Sequence, residues 1–210
     1  MRRYRITYKK ENSIRYTSNL DVHKIWERWL RRAKLPISYS QGFHPQPKIN
    51  QAAPLPLGMI SKYELVDIWL DEDLPAEEVL NKLMTAQQPG MPITRIVEME
   101  PHGKAMQAIL LSSTYQIHLL EEIPAKILQQ KVSQTLAADE ILRERRGKQY
   151  NLRPLILDLE IEPDEDGNEM LVAELCMESG KTGRADELVE ALGISQENVL
   201  IERVALKFPA

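Results

Sequence analysis

Apolar and polar residues alternate over residues 3–9 (RYRITYK), with Tyr4, Ile6 and Tyr8 on one side, the period of a half-buried strand. The period then changes. Val22, Ile25, Trp26, Trp29 and Ala33 recur at three- and four-residue steps, which predicts a helix with one apolar stripe. Ser18 supplies its N-cap, Asp21 stands three residues on, and Pro36 ends it. Lys24, Arg28, Arg31 and Arg32 lie largely off the stripe. Further extended segments are predicted at residues 14–16, 36–40, 48–53, 64–70 and 93–99. A second helix runs over 76–86, entered through Pro75 and closed by Gln88-Pro89-Gly90.

The same order returns in the second half. A strand is predicted at 113–120, a helix at 124–138, and strands at 140–146 and 149–161 around a basic turn containing Gly147. An acidic turn at 164–168 follows, then a strand at 170–177, a helix at 184–192 closed by Gly193, and a last strand at 199–208. Each half reads as the split βαβ order. The expectation is an α+β chain of tandem ferredoxin-like domains, residues 1–103 and 104–210, joined through Pro101-His102-Gly103-Lys104. The two halves share little residue identity, so the repeat is one of element order.

Charge changes this picture more than composition does. The net charge is −4, which taken whole argues against a general nucleic-acid or membrane binder. Resolved along the chain, residues 1–50 carry +9, 51–142 carry −7, 143–153 carry +4 and 154–210 carry −10. Two short basic regions in an acidic chain point to an anionic partner. They are expected to share one surface, with the acidic remainder repelling nucleic acid from other faces.

Cys176 stands alone, which excludes an intrachain disulfide, a zinc site of four thiolates or of two thiolates and two imidazoles, and an iron–sulfur cluster that takes three or four thiolates. No cofactor is implied, and no His/Asp/Glu set has metal-ligand spacing. The first ten residues, MRRYRITYKK, lack an apolar region of the signal-peptide kind, and no apolar run approaches the ~18–20 residues of a membrane span. A soluble, cytoplasmic protein without membrane contact is expected.

The densest motif region is 13–67. It reads SIRYTSNLDV, then RWLRRAKLPISYSQGFHPQPKI, then APLPLG and SKYELVD. This resembles the bacterial radical-SAM-linked family, a domain of unknown function found fused C-terminal to a radical SAM protein or encoded beside one. The matching residues are Arg15, Tyr16, Ser18, Leu20, Asp21, Arg31, Arg32, Ala33, Pro36, Tyr39, Ser40, Gly42, Phe43, His44, Pro45, Pro47, Lys48, Ile49, Gly58, Ser61, Glu64 and Asp67. Asn19 stands where that family's pattern has His. The second half matches more weakly, at 143–148 and 152–154. With one cysteine the chain cannot itself hold the radical SAM cluster. The resemblance therefore implies an accessory module with a radical SAM protein as its partner.

The residue types suggest what such a module does. In the loop at 40–48, Gly42 frees the backbone, Pro45 and Pro47 stiffen it, Phe43 offers a stacking face and Lys48 a cation. The structural alternative is a loop plugged by a buried Phe43. Arg15, Arg28, Arg31 and Arg32 are candidate phosphate contacts, or a plain solvated face. Arg143, Arg145, Arg146 and Lys148 form a candidate hairpin arm for a phosphate backbone, or an ordinary charged hairpin.

Three functions stay open. The first is binding or presenting RNA, tRNA or rRNA, to the radical SAM partner. The second is a protein–protein adaptor without RNA contact. The third is metal-independent RNA cleavage, with His44, His23 and Tyr39 as candidate catalytic groups near Arg31 and Lys48; tandem ferredoxin-like domains also resemble the architecture of CRISPR repeat-processing endoribonucleases. Ser179–Gly183 (SGKTG) lacks the leading glycine of a phosphate loop, because Leu175 holds that position, and reads as a turn and helix cap.

Overall fold

The computed structural model describes residues 1–145 and 147–209. The chain is a mixed α/β protein that divides into two compact units, residues 1–109 and 110–210. No helix among the described residues is long and apolar enough to cross a membrane.

In the first unit, strand β1 (Arg2–Lys10) leads through a 3₁₀ turn to helix α1 (Asn19–Arg32). Strands β2 (Ile49–Gln51) and β3 (Ile60–Leu70), helix α2 (Ala76–Thr85), strand β4 (Ile93–Met99) and a short helix α3 (Met106–Ile109) follow. All pairings are antiparallel, in the order β4-β1-β3-β2. The alternation seen in β1 works as the pleat requires. Tyr4, Ile6 and Tyr8 face a core shared with Trp26, Trp29 and Leu30 of α1, Val66, Ile68 and Leu70 of β3, and Val79 and Leu83 of α2. Trp26 and Trp29 stack at 4.7 Å, Tyr8 meets Trp26 edge-on at 5.0 Å, and Trp29 Nε1 donates to the Leu83 carbonyl at 3.0 Å.

Helix α1 starts and stops by local chemistry. Ser18 Oγ accepts from Asp21 N, a cap that satisfies one orphan N–H. At the other end Leu35 N donates to Leu30 O and Lys34 N to Arg31 O, the paired bonds of a Schellman turn. Lys34 occupies the left-handed position there, with φ 52°. Two expected strands take other forms. Residues 14–16 leave the 3₁₀ turn Asn12–Ile14 instead of extending. Residues 36–40 make only the isolated pairings Ile37–Leu70 and Tyr39–Pro47, since the flanking prolines have no N–H to give a ladder. The first unit also runs past the Pro101–Lys104 turn: Met106 is buried, and Gln107 Nε2 donates to Gln51 O at 2.5 Å.

The second unit comprises strand β5 (Ser112–Leu119), helix α4 (Ala125–Ala137), a hairpin of β6 (Leu142–Arg145) and β7 (Lys148–Asn151), strands β8 (Ile156–Pro163), β9 (Glu169–Glu178) and β10 (Lys181–Thr182), helix α5 (Ala185–Ala191) and strand β11 (Val199–Lys207). β8, β9, β5 and β11 pair antiparallel in that order, with β10 beside the end of β9. The hairpin stands apart as its own two-stranded sheet. The single strand expected at 149–161 is broken by the 3₁₀ turn Arg153–Leu155. Pro154 cannot donate to a ladder, and Asn151 Oδ1 turns back to accept from Ile141 N and Arg153 N.

Candidate nucleic-acid interface

The loop at 40–48 is held at its base and open at its tip. Ser40 N donates to Gln46 O, and Ser40 Oγ accepts from Gln46 N, closing a ring across the loop. Lys48 N donates to Ser38 O, Ser38 N to Trp69 O, and Trp69 N to Lys48 O, which ties both stems to β3. Ser38 Oγ also donates to Asp71 at 2.5 Å. Gly42 sits at φ 132°, a conformation that L side chains rarely adopt. At the tip Phe43 is fully exposed and His44 is exposed; the plug reading of Phe43 is therefore not the structure's. Lys48 is half-buried, and its ammonium donates a weak hydrogen bond to Met1 Sδ at 3.3 Å.

Much of the positive charge of the first fifty residues is spent internally. Arg3 and Arg5 both close on Asp67, Arg2 on Asp73 and Glu98, and Lys10 Nζ donates to the Arg15 and Thr17 carbonyls. Asp67 of the S-x-x-E-x-x-D motif is thus a buried counter-ion, and Arg3 adds a cation–π contact to Trp69 at 5.1 Å. Among the cations that face solvent are Arg28, Arg31 and Arg32 on α1, with Lys24 and Lys34 beside them. Arg31 lies 3.7 Å from Glu27, Arg32 donates to Gln88 Oε1 at 3.0 Å, and Arg28 forms no ion pair among the described residues.

Arg15 belongs to a different cluster. Its Nε donates to Gly58 O at 2.6 Å, Gly58 N donates back to Arg15 O, and its guanidinium lies 5.3 Å over the Tyr16 ring. Two separate motif segments, R-Y and P-L-P-L-G, meet here. Tyr16, Leu20 and Leu57 are all strongly exposed apolar side chains of these segments. Sequence reasoning placed Arg15 among phosphate contacts and passed over Leu20 and Leu57; their presence in the motif was the one available signal.

The candidate catalytic groups sit on two elements. His23 Nε2 lies 3.5 Å from Glu27 Oε1 on α1, while Tyr39 and His44 belong to the loop. No hydrogen bond joins His23, His44 and Tyr39 among the described residues. No three His, Cys, Asp or Glu side chains converge as metal ligands among those residues either.

In the second unit, cross-strand register puts Arg143 opposite Tyr150 and Arg145 opposite Lys148, so all four share one face of the hairpin. Arg145 and Lys148 are exposed and Arg143 is half-buried. Arg146 lies outside the described residues. Arg153 is structural: its guanidinium donates to Leu136 O and Ile156 O. Glu187 on α5 is held above the ordinary carboxylate range by burial, partly offset by the positive charges of Arg145 and Arg143.

Comparison with solved structures finds distant likenesses. The crystal structure of a Cbf5-Nop10-Gar1 complex aligns over 88% of this chain and 45% of its own, at 10% identity and TM-score 0.47. The archaeal box H/ACA sRNP Nop10-Cbf5 complex aligns over 95% and 46%, at 10% identity and TM-score 0.46. A glycine cleavage system transcriptional repressor, so described, aligns over 99% and 97%, at 10% identity and TM-score 0.27. The chain thus spans less than half the length of the first two. No curated protein matches it. A sequence family does match, over residues 3–185, which takes in the loop, the α1 face and the hairpin alike. The chain belongs to that family, described as "Uncharacterized protein conserved in bacteria (DUF2344)".

Proposed function

We propose that this protein is a non-catalytic module of two ferredoxin-like units that binds or presents RNA to a radical SAM protein. The strand orders β4-β1-β3-β2 and β8-β9-β5-β11, each with two helices between strands, support the fold reading. The motif resemblance over residues 13–67 supports the radical SAM partner. The observation that carries RNA binding is the fully exposed Phe43 at the tip of a loop pinned at its base, with Lys48 in its stem. An aromatic ring presented to water at the tip of an anchored loop is a platform for an unpaired base, and its neighbouring cation takes the phosphate. The exposed Arg28, Arg31 and Arg32 extend the cationic character of the same unit.

The test is a salt titration of labelled tRNA and rRNA fragments by fluorescence anisotropy. Binding falls as salt rises. Arg31→Ala and Lys48→Ala each lower the slope of log K against log salt by about 0.7–0.9 if each contacts one phosphate. Absence of binding at low salt, or slopes unmoved by both substitutions, refutes the reading.

A second reading, an adaptor that docks on the radical SAM protein without RNA, is favoured by one observation: exposed Tyr16 and Leu57 flank the Arg15–Gly58 clasp. Copurification with that partner separates the two. Loss of the partner in Tyr16→Ser or Leu57→Ser, with a preparation free of nucleic acid, selects the adaptor.

A further inference from the structure

The hairpin of the second unit does more than project into solvent. Together with the turn after β9 it walls a cleft of about 410 Å³, within the range of small-molecule sites. Arg145, Tyr150 and Asn151 line one side, Gly180, Lys181 and Thr182 line the other, and Leu155 completes it. The two walls are brought together by close packing. A Cβ on Gly183 would come within 3.0 Å of the Leu155 carbonyl oxygen, so the turn lies directly on the 3₁₀ segment that follows β7. Asn151 Oδ1 clamps the base of the hairpin through Ile141 N and Arg153 N, which leaves its amide N–H₂ as a donor.

The lining has a definite chemistry. Arg145 and Lys181 bring two cations, Thr182 brings a hydroxyl, and the Tyr150 ring and Leu155 bring apolar surface. The Tyr150 hydroxyl is buried and makes no hydrogen bond among the described residues. Gly180, at φ 81°, has open space where a Cβ would stand, so a ligand can approach its backbone closely. Glu187 acts against an anion, since the positive charges of Arg145 and Arg143 bear on its carboxylate. Glu178, paired with Lys181 across β9 and β10, is exposed.

We infer that this cleft binds a nucleoside monophosphate unit, either a free nucleotide or one residue of an RNA strand. The phosphate takes Arg145, Lys181 and the Thr182 hydroxyl as donors. The base lies against the Tyr150 ring and Leu155. The site lies wholly in the second unit and does not depend on RNA binding by the first.

The test uses the full chain and calorimetric titration with AMP and UMP, with adenosine and inorganic phosphate as partial ligands. The nucleotides bind with one-to-one saturation, and each partial ligand binds at least about 10-fold more weakly. Lys181→Ala and Arg145→Ala, both exposed positions whose loss leaves the fold and melting temperature intact, weaken nucleotide binding about 10-fold each. Phe43→Ala leaves it unchanged, which keeps this outcome separate from RNA binding at the first unit. If a short RNA displaces AMP and loses affinity in the same two variants, the strand is the source; if it does not compete, the free nucleotide is. Inorganic phosphate binding as tightly as AMP overturns the nucleoside assignment. No nucleotide or RNA binding sensitive to Lys181 and Arg145 overturns the site.

Discussion

Replacing Asp67 by Asn removes one negative charge from between two guanidinium groups while nearly keeping the side chain's shape. Asp67 is 0% exposed and Arg3 2% exposed. The carboxylate accepts from Arg3 Nε at 3.0 Å and from Arg3 Nη2, and from Arg5 Nε at 2.9 Å and Nη2 at 3.0 Å. In Asp67→Asn, Arg3 keeps the Gly103 and Lys104 carbonyls and the Trp69 ring, but no anion. A buried charge left without its partner costs about 3–5 kcal/mol. Arg5, with 18% of its side chain exposed, rehydrates and adds on the surface scale of about 0–1 kcal/mol. Together these come to about 3–6 kcal/mol, and at roughly 2–4 °C per kcal/mol for a chain of this size, melting falls by about 6–24 °C. The assay is urea unfolding followed by tryptophan fluorescence, which reports the first unit because Trp26, Trp29 and Trp69 all lie in it. Arg2→Ala is the control. Its pairs with Asp73 and Glu98 are exposed and screened by solvent, so its loss leaves the unfolding midpoint nearly unchanged. A loss under about 1 kcal/mol for Asp67→Asn would refute the buried-pair argument.

Other perturbations have equally definite outcomes. Phe43→Ala leaves urea unfolding unchanged, since the ring buries nothing, but weakens RNA binding by about 1–3 kcal/mol, read by anisotropy. Trp29→Phe destabilises more than Trp26→Phe by about 1 kcal/mol in the same unfolding assay, because Trp29 Nε1 bonds Leu83 O while buried Trp26 Nε1 has no partner among the described residues. Lys34→Gly raises stability by about 0.5–1 kcal/mol, as glycine takes the left-handed helix-end position without strain. Glu174 is held below its ordinary value of 4.5 by its hydrogen bonds from Lys207 and Ser112. Its folded form binds protons less readily than its unfolded form, so its contribution is present above about pH 4.5 and lost as pH falls through the lower folded value. Glu174→Gln therefore flattens the acid limb of a melting-temperature-against-pH curve.

Elements set by neighbours a few residues away were legible without a structure. The period of β1, the stripe and Ser18 cap of α1, and the span of β4 follow from side-chain spacing and local hydrogen bonds, which the sequence contains in full. Where the sequence misled, a proline or a turn interrupted a ladder, as at residues 36–40 and 152–155. Charge segregation was visible too, but not its use. Arg3 and Arg5 meet an aspartate more than sixty residues away, so a basic segment holds fewer free cations than its count suggests.

By itself, then, the sequence determined the element order, the two-part plan and the concentration of cations at 1–50 and 143–153. Only the tertiary structure decided that Phe43 stands in water rather than in the core, that Asp67 is a counter-ion, and that hairpin and Gly180–Thr182 turn enclose a cleft. Exposure, ion pairing and cavity walls are properties of residues distant in the chain, fixed by which surfaces the core brings together rather than by any local pattern.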